Sequence, residues 1–142
     1  MLNPVEEIAK PVALLYASPV RYARTGGSMS IMFVYVTAAD GEEAKRIGRQ
    51  VVEEELAACA NILPGATSIF RWQGKLEEAP ETILILKTTE QKLEPLISRV
   101  KSLHSYDCPC IEALPVVEGN RDFLEWVVRQ TGGDPKRLLD PV

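Results

Sequence analysis

One antiparallel sheet with helices packed on it, an α+β sandwich, is the fold class this chain predicts. Three observations carry the prediction. Segments 31–37 and 82–88 are nearly continuous apolar runs rich in β-branched residues, the pattern of buried strands. Segments 44–56 and 93–103 instead repeat their apolar residues at helical spacing. Between the first helix and the second apolar run, a long extended stretch from Ala60 to Trp72 meets Gln73-Gly74, a pair that reads as a tight turn.

Each element follows in order. Ile31-Met32-Phe33-Val34-Tyr35-Val36-Thr37 is read as a central strand covered on both faces. Asp40-Gly41-Glu42-Glu43 reads as a capping box, with the Asp40 carboxylate accepting from the Glu43 amide and acidic charge at the positive end of the helix dipole. Ala44, Ile47, Gly48, Val51, Val52 and Leu56 then form the buried stripe of the first helix. Strand two and its Gln73-Gly74 turn lead into Thr82 to Thr88, which pairs back as a hairpin. Thr88 or Thr89 is placed to cap a second helix with a buried stripe of Leu93, Leu96, Ile97, Val100 and Leu103. Pro95 either occupies the first turn of that helix or bends it. Ile111 to Val117 is a strand whose Pro115 puts it at or near an edge. Asn120 caps a last helix with Phe123, Trp126 and Val127 on one face, closed by Gly132-Gly133 and Pro135.

The order strand, helix, strand, strand, helix, strand, helix is the split βαβ arrangement of a ferredoxin-like α+β sandwich, with a long second hairpin and an extra C-terminal helix. From Ala60 to Trp72 an extended chain spans roughly 40 Å at about 3.3 Å per residue, well beyond the usual ~17–20 Å strand. The ribbon should therefore outreach its own domain. Ile69, Phe70 and Trp72 on it offer apolar surface and an open edge, which predicts self-association through this hairpin.

At 142 residues and 46% hydrophobic the chain suits one domain, read as 30–134. Residues 1–29 are expected to be a flexible N-terminal extension and 135–142 a C-terminal tail. A formal charge of −4 gives no footprint for nucleic acid or an anionic membrane, and no apolar run reaches the ~20 residues of a spanning helix. Three cysteines, Cys59, Cys108 and Cys110, fit a reducing compartment better than a disulfide framework, so the expected location is cytoplasmic. Cys59 is read as core packing.

The segments Leu56 to Gly65, Arg71-Trp72-Gln73-Gly74-Lys75, Leu86-Lys87-Thr88 and Ala113-Leu114-Pro115-Val116 resemble the divalent-cation tolerance family CutA over about residues 30–130. The resemblance implies a compact homotrimer whose subunits join sheets edge to edge, with clefts between them, and a role in tolerance to divalent metals, notably copper. At the level of fold it also implies similarity to PII signalling trimers, hence a sensor or binding module. A stable trimeric scaffold that anchors another protein is the remaining alternative.

Where copper binding is attributed to this family, the ligands are a Cys just before the Thr that ends strand one and a His pair ahead of a Tyr-containing loop. Those positions here are Val36, Leu103 and His104. The thiols offer a second route. Cys108 and Cys110 alternate along an incoming strand and share a face, and with His104 upstream they form a conceivable Cys2His site for copper or another divalent metal. The family usually carries Glu at the position of Cys110. The structural alternatives are a helix C-terminal imidazole for His104 and small apolar packing for the cysteines.

For a ligand in the clefts, the polar candidates are Trp72, Lys87, Tyr106 and Asp107, all in or beside the family motifs. No nucleophile stands at a recognisable spacing from a base and no glycine loop opens a helix, so neither an enzyme nor an organic cofactor is expected.

Overall fold

A computed structural model describes residues 29–138. The element order is β1 (Ile31–Ala38), α1 (Gly41–Glu53), β2 (Cys59–Trp72), β3 (Lys75–Thr89), α2 (Glu90–Leu103), β4 (Ile111–Pro115) and α3 (Arg121–Gln130), followed by a 3-10 turn at Pro135–Arg137. The four strands form one antiparallel sheet in the order β2-β3-β1-β4, the ferredoxin-like α+β arrangement. Pro115 thus lies on an edge strand, where a missing amide breaks no ladder bond that is needed.

Strand parity divides the sheet into two unlike faces. Val34 and Val36 of β1 pair with Leu86 and Leu84 of β3, and all four are fully buried against Ala44, Ile47 and Val51 of α1 and Leu96 and Val100 of α2. Each such side chain contributes about 2 kcal/mol of burial. Gly48 is the closest point of that packing: a Cβ there would stand 3.0 Å from the Ala60 Cβ and 3.3 Å from Leu84 Cδ1. The other face is not covered in the same way. Phe33 and Tyr35 are only half-buried, because α1 and α2 both lie on the Val34 side and leave this face to α3. The expectation that β1 is covered on both faces therefore holds at one end only, where Val127 and Val128 of α3 pack on Ile31 and Ala58.

Local chemistry explains the element ends. The Asp40 side chain accepts from the Glu43 amide at 2.9 Å, and Asn120 accepts from Asp122, so both predicted caps form. Thr89 starts α2 without a side-chain cap bond, while Thr88 donates instead to the Leu56 carbonyl and ties β3 to the end of α1. Pro95 lies beyond the first turn of α2, so its absent amide removes a bond inside the helix. On α3 the buried pair is Val127 and Val128, whereas Phe123 is 41% exposed and stacks on Trp126 at 5.8 Å. The expected stripe of Phe123, Trp126 and Val127 is rotated accordingly.

The β2–β3 hairpin closes at Gln73-Gly74, both with positive φ (48° and 77°), as a two-residue turn between Trp72 and Lys75 requires. Lower down, Pro64 and Gly65 oppose Thr82 alone and shift the register by one residue, with Gly65 at φ +86°.

At the chain ends the fold reaches further than 30–134. Met29 is buried, its amide bonds the Arg137 carbonyl, and it forms a parallel bridge with Leu138, which is buried beside it. Met29 and Leu138 therefore belong to the packed body, because both join Val127 and Val128 of α3 in one buried cluster. The rest of the expected extension, 1–28, and residues 139–142 lie outside the described residues. Among the described residues no helix is long and apolar enough to cross a membrane.

Candidate ligand cleft on the open sheet face

Two polar nodes meet at the turn after α2. The first is built on Glu43, buried at 7% exposure in the first turn of α1. Its carboxylate accepts from the amides of Ala39 (3.2 Å) and Ser105 (3.1 Å) and lies 3.6 Å from His104 Nδ1. Burial alone would raise its pKa, but the hydrogen bonds from Ser105 and Ala39, with the charge His104 can carry, overcome that and hold it below the ordinary value. His104 caps α2 with its ring wholly enclosed. Its Nδ1 accepts from the Tyr106 amide at 3.0 Å, so the proton sits on Nε2, which donates to the Thr37 carbonyl at 2.8 Å.

The second node is Glu81, 5% exposed, on the open face of β3 beyond Ile83 and Ile85. One carboxylate oxygen accepts from Ser68 at 2.6 Å and the other from the Tyr106 hydroxyl at 3.0 Å. Tyr106 joins the nodes, since its amide is held by His104 and its ring lies 4.6 Å from the imidazole. Tyr35 shares the face, and its pKa is raised by burial first and then by the charges of Cys110, Glu112 and Glu81. The Cys110 thiol donates to Glu112 at 3.3 Å, and burial, followed by that hydrogen bond and the neighbouring carboxylates, pushes its pKa up to about 12. Without a metal ion beside it, this thiol is protonated at neutral pH.

The residues expected to line a cleft are dispersed along the sheet. Tyr106 enters the Glu81 node and exposed Asp107 follows it on the same turn. Lys87 donates to Asn61 at the other end of β3, roughly 20 Å from Glu81 at about 3.3 Å per residue. Trp72 pairs with Lys75 at the hairpin tip, a similar distance in the opposite direction. Of the apolar hairpin residues, Phe70 and Trp72 share the Glu81 face, but Ile69 points to the opposite face, because strand side chains alternate. Cys59 is half-buried opposite Lys87 and outside both core clusters, so it is not core packing. Burial raises its pKa and Lys87 partly offsets that.

The copper set that the resemblance implies does not fit the residues of one chain. Val36 is a core residue with no donor atom, Leu103 packs against the same core, and both nitrogens of His104 are already engaged. Among the described residues no three His, Cys, Asp or Glu side chains gather where they could hold a metal ion. Glu43, Ser68, Glu81, Tyr35 and Glu112 are not among the candidate site residues that the sequence offers. A signal for one of them exists: the Gln73-Gly74 turn sets Trp72 opposite Lys75, and counting back places Ala66 opposite Glu81 with Ser68 diagonal to it.

Comparison with known proteins agrees with this architecture. The family described as CutA1 divalent ion tolerance protein matches residues 32–130. The Divalent-cation tolerance protein CutA of Thermus thermophilus is 50% identical over 99 residues, 70% of this chain and 96% of that protein. Protein CutA, chloroplastic, of Arabidopsis thaliana is 38% identical over 82% of this chain and 64% of its own length. Among solved structures, the Cut A1 protein of Thermus thermophilus superposes with a TM-score of 0.69 at 48% identity, covering 72% of this chain and 99% of that one. A match across most of the folded body, at this identity and in this topology, places the chain in the CutA1 divalent ion tolerance protein family.

Proposed function

We propose that this chain acts in tolerance to divalent metal ions as a non-enzymatic, cytoplasmic homotrimer that binds a metal ion or a small ligand in clefts between subunits. One observation carries the reading. Glu81 is a nearly fully buried carboxylate held by Ser68 and Tyr106, on a sheet face where Phe33, Tyr35, Ile83 and Ile85 remain half-exposed. A buried carboxylate bordered by phenols, a second carboxylate and a thiol suits a cationic or hydrogen-bond-donating guest. The open edges of β2 and β4 support assembly, as unpaired strands need cover. Copper in this reading is held by Cys108 and Cys110 with donors from a second copy, while His104 positions Tyr106.

A small-ligand sensor without a metal role is the second reading, favoured by the engagement of both His104 nitrogens. Calorimetric titration of the reduced, metal-free protein with Cu(I), Cu(II) and Zn(II) separates the two, alongside Cys108→Ser/Cys110→Ser and Glu81→Gln. The metal reading expects affinity tighter than about millimolar, equivalent to ~4 kcal/mol, that is weakened by the serine pair. No binding within that range, or binding indifferent to all three substitutions, overturns it.

A further inference from the structure

The connection between α2 and β4, residues 104–110, carries two of the chain's three thiols, Cys108 and Cys110, on either side of Pro109. Both are half-buried and neither is in a disulfide. Two residues apart, their Cα atoms are separated by at most about 7.2 Å, and the fixed φ of Pro109 keeps the step short of full extension. Disulfides form at Cα separations up to about 6.8 Å, so a bond between the pair needs only a small backbone movement and closes under strain. A strained bond around so short a loop adds little stability and exchanges readily. The Cys110 thiol donates to Glu112 at 3.3 Å, and because Glu112 is exposed, water replaces that bond when the sulfur turns away.

Both ends of the connection are held. The His104 ring is enclosed and bonded to the Thr37 carbonyl, while Ile111 enters the ladder opposite Val36. The Thr37 amide also bonds the Cys110 carbonyl, at a longer 3.4 Å. A shortening between 108 and 110 therefore draws on Tyr106 and exposed Asp107, and Tyr106 is the residue that reaches Glu81. We propose that Cys108 and Cys110 form a reversible disulfide that draws this turn in and releases Tyr106 from Glu81. The oxidant is a low-molecular-weight disulfide such as oxidised glutathione. The Cys108 thiolate attacks one of its sulfurs and expels one thiol, leaving a mixed disulfide. Glu112 then takes the Cys110 proton, and the Cys110 sulfur displaces the second thiol, which recovers the proton through water. The protein gives up two electrons and two protons, and the two released thiols carry them away. The inference rests on the proposed function for its consequence and deepens it: joined sulfurs cannot ligate a metal ion, and the Glu81 node loses its phenol.

The test uses the full chain with metal ions chelated, equilibrated in glutathione buffers from fully reduced to fully oxidised, then quenched with acid and alkylated. Intact mass and peptide mapping are expected to show a 108–110 bond within one chain at the oxidising end, leaving Cys59 alone to be alkylated, and its reversal on reduction. Cys108→Ser and Cys110→Ser should each abolish that bond, and Cys59→Ser should keep it. Hydrogen exchange at the Tyr106 amide, held by His104 in the reduced chain, should quicken at least about tenfold on oxidation. Three alkylated cysteines at every ratio, glutathione adducts alone, or a bond between two chains overturns the disulfide. A 108–110 bond that leaves Tyr106 exchange unchanged overturns the release. With metal ions chelated throughout, neither result alters the calorimetric test of metal binding.

Discussion

Glu43 shows how a single side chain can set the geometry of the Glu81 node from outside it. Its carboxylate fixes the Ser105 amide, His104 fixes the next amide, and Tyr106 is thereby aimed at Glu81. The folded pKa of Glu43 lies below its ordinary value of 4.5, so the folded state binds fewer protons there than the unfolded chain. This stabilisation is complete above about pH 4.5 and is lost as pH falls through the lower folded value. Glu43→Gln should therefore cost about 1–3 kcal/mol at neutral pH and flatten the acid side of a stability-against-pH curve measured by denaturant unfolding. An unchanged acid limb would show that the node is not anchored by this charge. The sequence displayed Glu43 as a capping-box member and nothing more, because its second role depends on the turn after α2 arriving from about sixty residues away.

At the scale of elements, the alternation of strand side chains decided most of what could and could not be read. The apolar runs, both helix caps and the Gln73-Gly74 turn are local signals, and each appears where the residues place it. The outward rotation of Phe123 and the half-open sheet face were not legible, since they depend on which side of the sheet the helices choose. Ile69 is adjacent to Phe70 in the sequence, but a period of two puts it on the face opposite Phe70 and Trp72. The α1–sheet contact makes the sharpest prediction here. Gly48→Ala gains about 1 kcal/mol in helix propensity but forces a Cβ to 3.0 Å from Ala60, and overpacking costs about 1–3 kcal/mol. The packing term should win, lowering the thermal midpoint; a raised midpoint would mean that α1 can lift from the sheet without loss.

Seen whole, the molecule is a small body with a ribbon longer than the body needs. The family motifs lie at structural punctuation: the β2 start, the hairpin tip, the β3 end and β4. They identify the architecture, whereas the cleft residues lie partly between them and were found only once Tyr106 and Glu81 met across the turn. Trp72 and Lys87 stand at opposite ends of β3's reach, so a single subunit cannot make them one site, and the proposed trimer is what would bring them together. The most direct test of that claim is the mass of the full reduced chain in solution, by sedimentation equilibrium at micromolar and lower concentrations. The account predicts the mass of three chains, persisting on dilution. A single-chain mass throughout would contradict it.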